Sequence, residues 1–248
     1  MRKILFIAII LSYSTFHLSL CHADSLDVKL RVGYNIGGTA PMGLPASIRS
    51  IDAFQMTPSL MVGGDVNLTL RKHWKLSAGL HFENKGMDTE VTTKSYRMEM
   101  RKGNSQISGF FTGHVKQVVS QWMVTLPVQT TYQLNEHVTL KAGPYVSLLV
   151  HKDFSGIAFD GYLRQGDPTG PKIIIGNTEA DWATYDFSEE MRSLQWGVSV
   201  GIDWHWDYRL GLSADLNWGL SGIFSEDFKT VEQPLYPIYG SVGVFYKL

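Results

Sequence analysis

Large apolar side chains alternate with small or polar ones along much of this chain. In the stretch LQWGVSVGIDWHWDYRLGLSADLNWGL, residues 194–220, the even-numbered positions carry hydrophobic side chains, and the odd-numbered positions carry mainly Gly, Ser, Asp and Asn. A period of two residues is typical of a β-strand whose two faces meet different surroundings. Eight segments of about ten residues place their apolar side chains at even-numbered positions: residues 28–36, 62–70, 74–82, 122–134, 138–150, 194–206, 210–220 and 238–248.

Short and long connections alternate between these predicted strands. Residues 71–73, 135–137 and 207–209 form three short connections, and residues 38–57, 86–119, 152–192 and 221–236 form four long ones. A short connection of odd length keeps the apolar faces of both strands on one side, as a hairpin requires. The pattern predicts an all-β fold: an eight-stranded antiparallel up-and-down transmembrane β-barrel with three short periplasmic turns and four long extracellular loops.

The size of the polar side chains indicates which face of the strands is outside. A soluble, lipocalin-like barrel also alternates, but it turns its apolar side chains inward, and it is the alternative here. A water-facing surface normally carries long charged side chains, whereas the interior of an eight-stranded barrel holds small ones and a few paired charges. The odd-numbered face between residues 195 and 219 is mostly small and polar. We therefore expect the even-numbered face to contact lipid.

Tryptophan and tyrosine concentrate near the ends of the predicted strands. Trp196 and Trp204 lie eight residues apart on one strand, which is roughly 19 Å along the membrane normal at a tilt of about 45°. Both residue types prefer the two membrane–water interfaces. We predict that the membrane aromatic girdles contain Trp74, Trp122, Tyr132, Trp196, Trp204, Trp206, Trp218 and Tyr246.

The odd-numbered face also carries charged side chains, which a narrow lumen must pair. We expect a network of salt bridges and hydrogen bonds that fills the lumen and prevents a wide pore; a proton or ion path is the alternative. Lys247 lies on the same face as this network. The predicted lumen network consists of Lys29, Arg31, Asp65, Lys75, His81, Glu83, Lys141, Asp203, His205 and Asp215.

The first 23 residues have the regions of a secretory signal peptide. Basic residues precede an apolar run, and small residues end at Ala23, so we expect cleavage there and a barrel domain over residues 24–248. Lipidation at Cys21 is the alternative, although bulky Leu20 stands where a small residue is preferred. The chain has 22 basic and 23 acidic residues, and cleavage removes two of the basic ones. This balance excludes a nucleic-acid-binding protein.

The candidate catalytic chemistry is sparse. Ser147 and His151 lie on one face of a predicted strand and form the nearest nucleophile–base pair, but such a spacing occurs easily by chance. We expect no enzyme activity and no cofactor or metal site. The long connections differ in charge, and we expect ion pairs between them above the barrel, with lipopolysaccharide phosphates as the alternative partner of the basic one. The basic set is Lys94, Arg97, Arg101, Lys102 and Lys116, and the acidic set is Asp153, Asp160, Asp167, Glu179, Asp181, Asp186, Glu189 and Glu190.

Several segments resemble those of a known family. The runs VGYNIGGTAPMGLP, ENKGMDTE, GPYVSLLV, FDGYLRQGDPTG, YDFSEEM and LYPIYGSVGVFYKL resemble segments of PorT-like or porin-family small outer-membrane β-barrel proteins of Gram-negative bacteria. The resemblance implies an eight-stranded outer-membrane barrel; some members are linked to secretion, and it supplies no catalytic residues. Leu248 departs from the terminal aromatic residue that is common in such barrels.

These observations lead to one expected function and one alternative. We expect a monomer in the bacterial outer membrane, with a side-chain-filled lumen, that acts as a structural or surface-interaction module. The resemblance adds a link to secretion or to the envelope. The alternative is a narrow porin-like channel for small solutes. The expected partners are outer-membrane lipid, lipopolysaccharide, and a protein or glycan that binds the extracellular loops.

Overall fold

The computed structural model describes residues 26–248 except residues 42, 44, 229, 232 and 233. The predicted signal peptide and Cys21 lie outside the described residues. Among the residues described, no helix is long and apolar enough to cross a membrane. The strands are β1 (Leu26–Pro41), β2 (Ile48–Met56), β3 (Leu60–Arg71), β4 (Trp74–Lys102), β5 (Ser105–Gln133), β6 (Val138–Gln165), β7 (Lys172–Ile175), β8 (Ala183–Asp186), β9 (Leu194–His205), β10 (Leu210–Gly219) and β11 (Leu235–Lys247).

Eight of these strands form a closed antiparallel ring. In the order β1, β3, β4, β5, β6, β9, β10, β11, each strand pairs with the next, and β11 pairs with β1 to close the ring. The registers place even-numbered residues opposite even-numbered residues, as in Leu30↔Tyr246 and Val32↔Val62. All eight predicted segments lie in these strands, which confirms the predicted eight-stranded antiparallel barrel.

The outer surface of the ring is apolar. Leu80, Val146 and Val200 are 58%, 40% and 51% exposed, and most of the other large even-numbered side chains of the ring are similarly exposed. The odd-numbered side chains point inward and are mostly buried. A soluble barrel would have the opposite arrangement, so the lipocalin-like alternative is wrong.

The strands β4, β5 and β6 continue far beyond the ring at the end opposite the short turns. The ladder between β4 and β5 runs from Trp74↔Tyr132 to Lys102↔Ser105, so that the connection 86–119 is one long hairpin with a turn at residues 103–104. β8 pairs with both β6 and β4, which curves this sheet round on itself. We call the region formed by β2, residues 86–119 and 152–192 and the described residues of 221–236 the cap.

Two irregularities change which residues point inward in the cap. In β4 the ladder passes from Thr93↔Gly113 to Tyr96↔Phe111 and skips Lys94 and Ser95. After this point the buried side chains are even-numbered, Met98 and Met100. In β6 the pairs Trp122↔His151 and Met123↔Leu149 leave Val150 as an extra residue. The next buried side chain of β6 is again even-numbered, at Phe154.

The cap has a hydrophobic core of its own. Phe111, Ala158 and Leu163 are completely buried in it. The aromatic rings of Phe154 and Phe224 meet edge to face with 4.7 Å between their centroids. From the cap, the core contains Met87, Met98, Met100, Ile107, Phe111, Val115, Val119, Phe154, Ala158, Leu163, Ile175, Ala183, Tyr185, Met191, Ile223 and Phe224, and Met123 and Leu149 join it from the adjoining part of the ring.

Candidate functional site

Asp203 of β9 is the centre of the charged lumen. It is 1% exposed and accepts hydrogen bonds from Lys29 Nζ at 2.9 Å and Arg31 Nη2 at 2.9 Å, and it lies 2.7 Å from Lys141 Nζ. Lys141 comes from β6, which pairs directly with β9, whereas Lys29 and Arg31 come from β1, three strands away round the ring, and reach Asp203 through the lumen. A buried carboxylate with three cationic partners is held in its charged form, because each partner offsets part of the cost of burial.

Two further aspartates balance these cations. Asp65 accepts a hydrogen bond from Arg31 Nε and lies 2.8 Å from His81 Nε2. Asp215 lies 2.7 Å from Lys141 Nζ and 3.8 Å from Arg31 Nη1. Three cations therefore face three carboxylates, with His81 at the edge. We call these seven residues the lumen cluster: Lys29, Arg31, Asp65, His81, Lys141, Asp203 and Asp215.

Two glycines make room for the carboxylates of the lumen cluster. A Cβ atom at Gly201 would collide with Asp215 Oδ1, and a Cβ atom at Gly79 would collide with Asp65 Oδ1. The small residues of the odd-numbered face therefore have a specific role, because they let charged side chains of neighbouring strands lie across the lumen.

The other predicted lumen residues lie apart from the cluster. Glu83 pairs with Lys85 Nζ at 2.9 Å nearer the cap. Lys75 pairs at 2.7 Å with Asp27, at the end with the short turns. His205 contacts the ring of Phe245, with 5.0 Å between centroids, and lies 3.5 Å from the hydroxyl of Thr139. The structure therefore divides the predicted set of ten into a central cluster and three separate sites.

Sequence reasoning did not single out several residues of the lumen. Lys85 and Asn35 both contact Glu83, and Asp27 bridges Lys75 and Lys247. These polar residues continue the odd-numbered pattern, which was the signal for them. Large rings also occupy odd-numbered positions: Lys29 Nζ lies 4.5 Å from the centroid of Phe245, and Lys85 Nζ lies 5.8 and 5.5 Å from those of Tyr145 and Tyr239.

Little free space is left within the lumen. A cavity of about 30 Å³ lies between the lumen cluster and Tyr145, whereas the mouth at the short-turn end is an open polar space of about 440 Å³. A cavity needs about 10–15 Å³ to hold one water molecule, so the space beside the cluster holds one or two. The middle of the barrel is therefore filled by its own side chains.

The eight predicted girdle residues occur at two levels of the outer surface. Trp122, Trp196 and Trp218 lie toward the cap, and they are 40%, 51% and 41% exposed. At the level of the short turns, the rings of Trp74 and Tyr132 are 4.8 Å apart. The exposed residues of this second level are Trp74, Trp204, Trp206 and Tyr246, with Tyr132 half-buried beside Trp74.

The candidate catalytic pair is not assembled. The hydroxyl of Ser147 lies 2.8 Å from that of Thr125 inside the lumen. His151 is exposed, because the extra residue Val150 turns the strand so that His151 no longer faces inward. Across the described part of the chain, no group of three or more His, Cys, Asp or Glu residues is arranged to hold a metal ion.

The expected ion pairing within the cap is wrong for most of the basic residues. Among the ion pairs between described residues, none joins Lys94, Arg101, Lys102 or Lys116 to the acidic set. Instead Lys102 Nζ donates a hydrogen bond to the carbonyl of Ile174. Backbone ladders and apolar packing hold the cap together. Tyr185 lies in this apolar core, and burial raises the pKa of its phenol.

A match to a family model shows which family the chain belongs to. The model, described as an outer membrane protein beta-barrel domain, matches residues 22–225. The chain therefore belongs to the outer-membrane β-barrel proteins, its ring spans the bacterial outer membrane, and the short turns face the periplasm. The cap is accordingly extracellular.

Solved outer-membrane barrels resemble the chain only distantly. Ail, the attachment invasion locus protein of Yersinia pestis, solved with the heparin analogue sucrose octasulfate, is 6% identical, with 90% of this chain and 97% of that chain covered and a TM-score of 0.38. The neisserial surface protein A is 10% identical over 90% and 97%, with a TM-score of 0.37. OprG of Pseudomonas aeruginosa is 11% identical over 90% and 95%, with a TM-score of 0.33. No curated protein sequence matches the chain.

Proposed function

We propose that this protein is a closed outer-membrane barrel that acts as a structural or surface-interaction module. The observation that carries the proposal is the balanced lumen cluster, with Asp203 at 1% exposure and about 30 Å³ of free space beside it. The charges of the cluster already neutralise one another, so they do not require a passing ion. Separating one of them from its partners costs free energy. A solute path through the middle of the barrel would require the cluster to separate.

The cap supports the second half of the proposal. Its hydrophobic core fixes the shape of the outer surface, and the hairpin of β4 and β5 ends in an exposed tip, residues 103–106, with Arg101 beside it. Ordered, exposed loops on a rigid barrel are a common location for binding residues. We propose that a protein, a glycan or the phosphates of lipopolysaccharide bind this surface.

Several finer assignments belong to the same proposal. The closed ring leaves no free strand edge at the level of the membrane, which supports a monomer. The separation of Ser147 from exposed His151 supports a non-enzymatic role. The two levels of exposed Trp and Tyr side chains support their role as membrane girdles. The sequence runs from Val32 to Pro45 and from Leu235 to Leu248 support a PorT-like, porin-family member with a role in secretion or the envelope.

Planar-bilayer recording of the purified protein tests whether the barrel is closed. We expect no steady unitary current from the wild type, because the lumen cluster blocks the path. The positive control replaces Arg31 and Asp203 by alanine, which removes one ion pair from the middle of the lumen cluster and is expected to produce small unitary currents. Steady currents of uniform size from the wild type would instead support the narrow channel and overturn the closed barrel.

Site-specific photo-crosslinking on intact cells tests the interaction surface. A crosslinking residue at Gln106, at the exposed tip of the hairpin of β4 and β5, is expected to give discrete adducts, whereas one at Lys72, in a periplasmic turn, is expected to give none of the same adducts. Replacing Arg101 and Lys102 by glutamate should remove the adducts if a polyanion is the partner. If neither Gln106 nor further exposed positions of the cap give adducts, a surface-interaction role is refuted.

A further inference from the structure

The wall of the barrel is interrupted on one side of the cap. β1 pairs with β3 only as far as Tyr34↔Leu60, although it continues along β11 to Pro41↔Leu235. Within the described residues β2 pairs with β4 alone. The last part of β1 and the strand β2 therefore stand side by side without a ladder between them, and a cavity of about 180 Å³ lies behind this gap.

The lining of the cavity is almost entirely apolar. β2 contributes Ile48, Ile51 and Phe54, and β4 contributes Met87 and Val91. None of the described lining residues is charged. Methionine adapts its shape to an occupant at little cost, because its side chain is unbranched and its sulfur is polarizable. Thr39, Thr89 and Met98 also line the cavity.

Two hydroxyl oxygens of this lining, those of Thr39 and Thr89, are buried without a hydrogen-bond partner of good geometry among the described residues. The Thr39 hydroxyl lies beside the phenol of Tyr239, so the Thr89 hydroxyl is the one available to a ligand. Leaving such a group unpaired costs free energy that a ligand with one suitable donor or acceptor would recover. The hydroxyl therefore indicates a ligand that is mainly hydrocarbon but carries one polar group.

The size of the cavity limits the occupant. A buried apolar cavity of about 150 Å³ accommodates benzene, and this cavity is about 180 Å³. A molecule of roughly six to eight carbon atoms therefore fits.

The position of the cavity indicates the source of the occupant. Asn84 pairs with Trp122, which belongs to the aromatic residues nearer the cap. We call their position the outer aromatic level. Val91 lies seven residues further along β4. This places the cavity about 15 Å above that level at a rise of about 3.3 Å per residue and a tilt of about 45°. Lipid acyl chains end below it, so the occupant comes from the external medium.

We propose that this cavity, which we call the cap pocket, binds a small neutral molecule consisting of an aromatic ring or short alkyl group with a single hydrogen-bonding group. The body of the molecule lies against Met87, Val91 and Phe54, and its polar group bonds to Thr89 Oγ1. The inference goes beyond the proposed function and does not depend on it, since the pocket lies above the closed lumen.

Methyl NMR of the protein in detergent micelles, with labelled methionine, tests the cap pocket. Benzyl alcohol is the probe, sodium benzoate is its charged counterpart, and toluene lacks the hydroxyl. We expect benzyl alcohol to shift the signals of Met87 and Met98 in a saturable manner, while Met61, which is buried in the lumen, stays in place. Benzoate is expected to shift none of the three, because the pocket offers no counter-charge.

Two variants separate binding in the pocket from partition into the micelle. Val91→Phe fills the pocket and should weaken the binding of benzyl alcohol about tenfold or more, because the added ring leaves too little volume. Val118→Phe is the matched control, since Val118 lies on the neighbouring strand and does not line the pocket.

A third variant tests the hydrogen bond. Thr89→Val should weaken the binding of benzyl alcohol about threefold to tenfold through the lost hydrogen bond and leave the binding of toluene unchanged.

The outcomes decide the proposal in both directions. Saturable shifts at Met87 and Met98 that Val91→Phe reduces and Val118→Phe preserves would support it. Shifts that are absent, that are equal in both variants, or that extend to Met61 would overturn it. If Val91→Phe does not fold, as judged by heat-dependent gel migration, the comparison of benzyl alcohol with toluene in Thr89→Val decides instead.

Discussion

The lumen cluster and the core of the cap occupy successive levels of one barrel interior, and they are stabilised in opposite ways. In the lumen, Arg31 and Lys141 neutralise buried aspartates through direct contacts. In the cap, Phe111 and Phe154 are buried among other apolar side chains. β4, β5 and β6 contribute to both regions, so the difference is not one of separate folding units.

The surroundings of the barrel explain the difference. Where lipid surrounds the ring, the apolar side chains point outward and the interior receives the polar ones. Where water surrounds the cap, the same strands must bury their apolar side chains, and the interior becomes hydrophobic. On β4 the change occurs within one inward step, from Lys85 to Met87. The pattern of inward residues therefore records where the membrane ends.

The largest effect is expected from Asp203→Asn. The change leaves Lys29, Arg31 and Lys141 without their shared carboxylate, and breaking a buried ion pair in this way costs about 3–5 kcal/mol. The free energy of unfolding, measured by urea titration in detergent or lipid, should fall by an amount near the upper end of this range. Asp167→Asn, at an exposed turn where Asp167 bonds to Thr169, is the control and should leave the unfolding curve unchanged. Equal curves for both variants would show that the lumen charges do not stabilise the barrel.

A slightly smaller effect is expected from Phe111→Ala in the core of the cap. Removing a completely buried ring leaves a cavity and costs about 3–4 kcal/mol. Because this loss falls on the cap, limited proteolysis should cut within residues 86–119 while the ring still migrates as a folded, heat-modifiable band. Phe110→Ala, one residue away on the other face, is the matched control. Its effect should be below about 1 kcal/mol, and loss of the whole barrel on Phe111→Ala would contradict a locally stabilised cap.

The smallest effect is expected from a double substitution of Glu83 and Lys85. Lys85→Met alone leaves Glu83 charged and buried, which should cost about 3 kcal/mol. Adding Glu83→Gln removes the second charge, and the double variant should unfold within about 1 kcal/mol of the wild type. The free energies of unfolding of the wild type, both single variants and the double variant complete the test. An additive result would mean that Glu83 and Lys85 do not act as a pair.

The sequence was informative where one surface rule held along a whole strand. The alternation between Leu194 and Leu220 predicted both the strands and the lipid-facing side, because lipid imposes the same requirement on every outward residue. It also marked the odd-numbered charges that meet in the lumen. It could not say which charges meet: Lys75 and Asp203 are both inward, but their partners depend on the stagger between strands and not on local spacing.

The cap was less predictable for a physical reason. Lys94 and Ser95, which the ladder between β4 and β5 skips, and the extra residue Val150 shift the inward face by one position, so that no single period describes β4 or β6. The expectation of ion pairs between the two long connections failed because backbone ladders bring these segments together and leave their charges at the surface. The cap pocket depends on an interruption between β1 and β2, for which the sequence carries no local signal.

The length of the hairpin formed by β4 and β5 determines which part of the protein an approaching molecule contacts first. From Asn84, beside Trp122, to the turn at residues 103–104 the two strands stay paired except where the ladder skips Lys94 and Ser95. At about 3.3 Å per residue and a tilt of about 45°, the turn reaches roughly 45 Å beyond the outer aromatic level. Phages, antibodies and neighbouring cells would therefore first contact the stiff, basic tip of this hairpin, while the charged interior of the barrel is inaccessible below it.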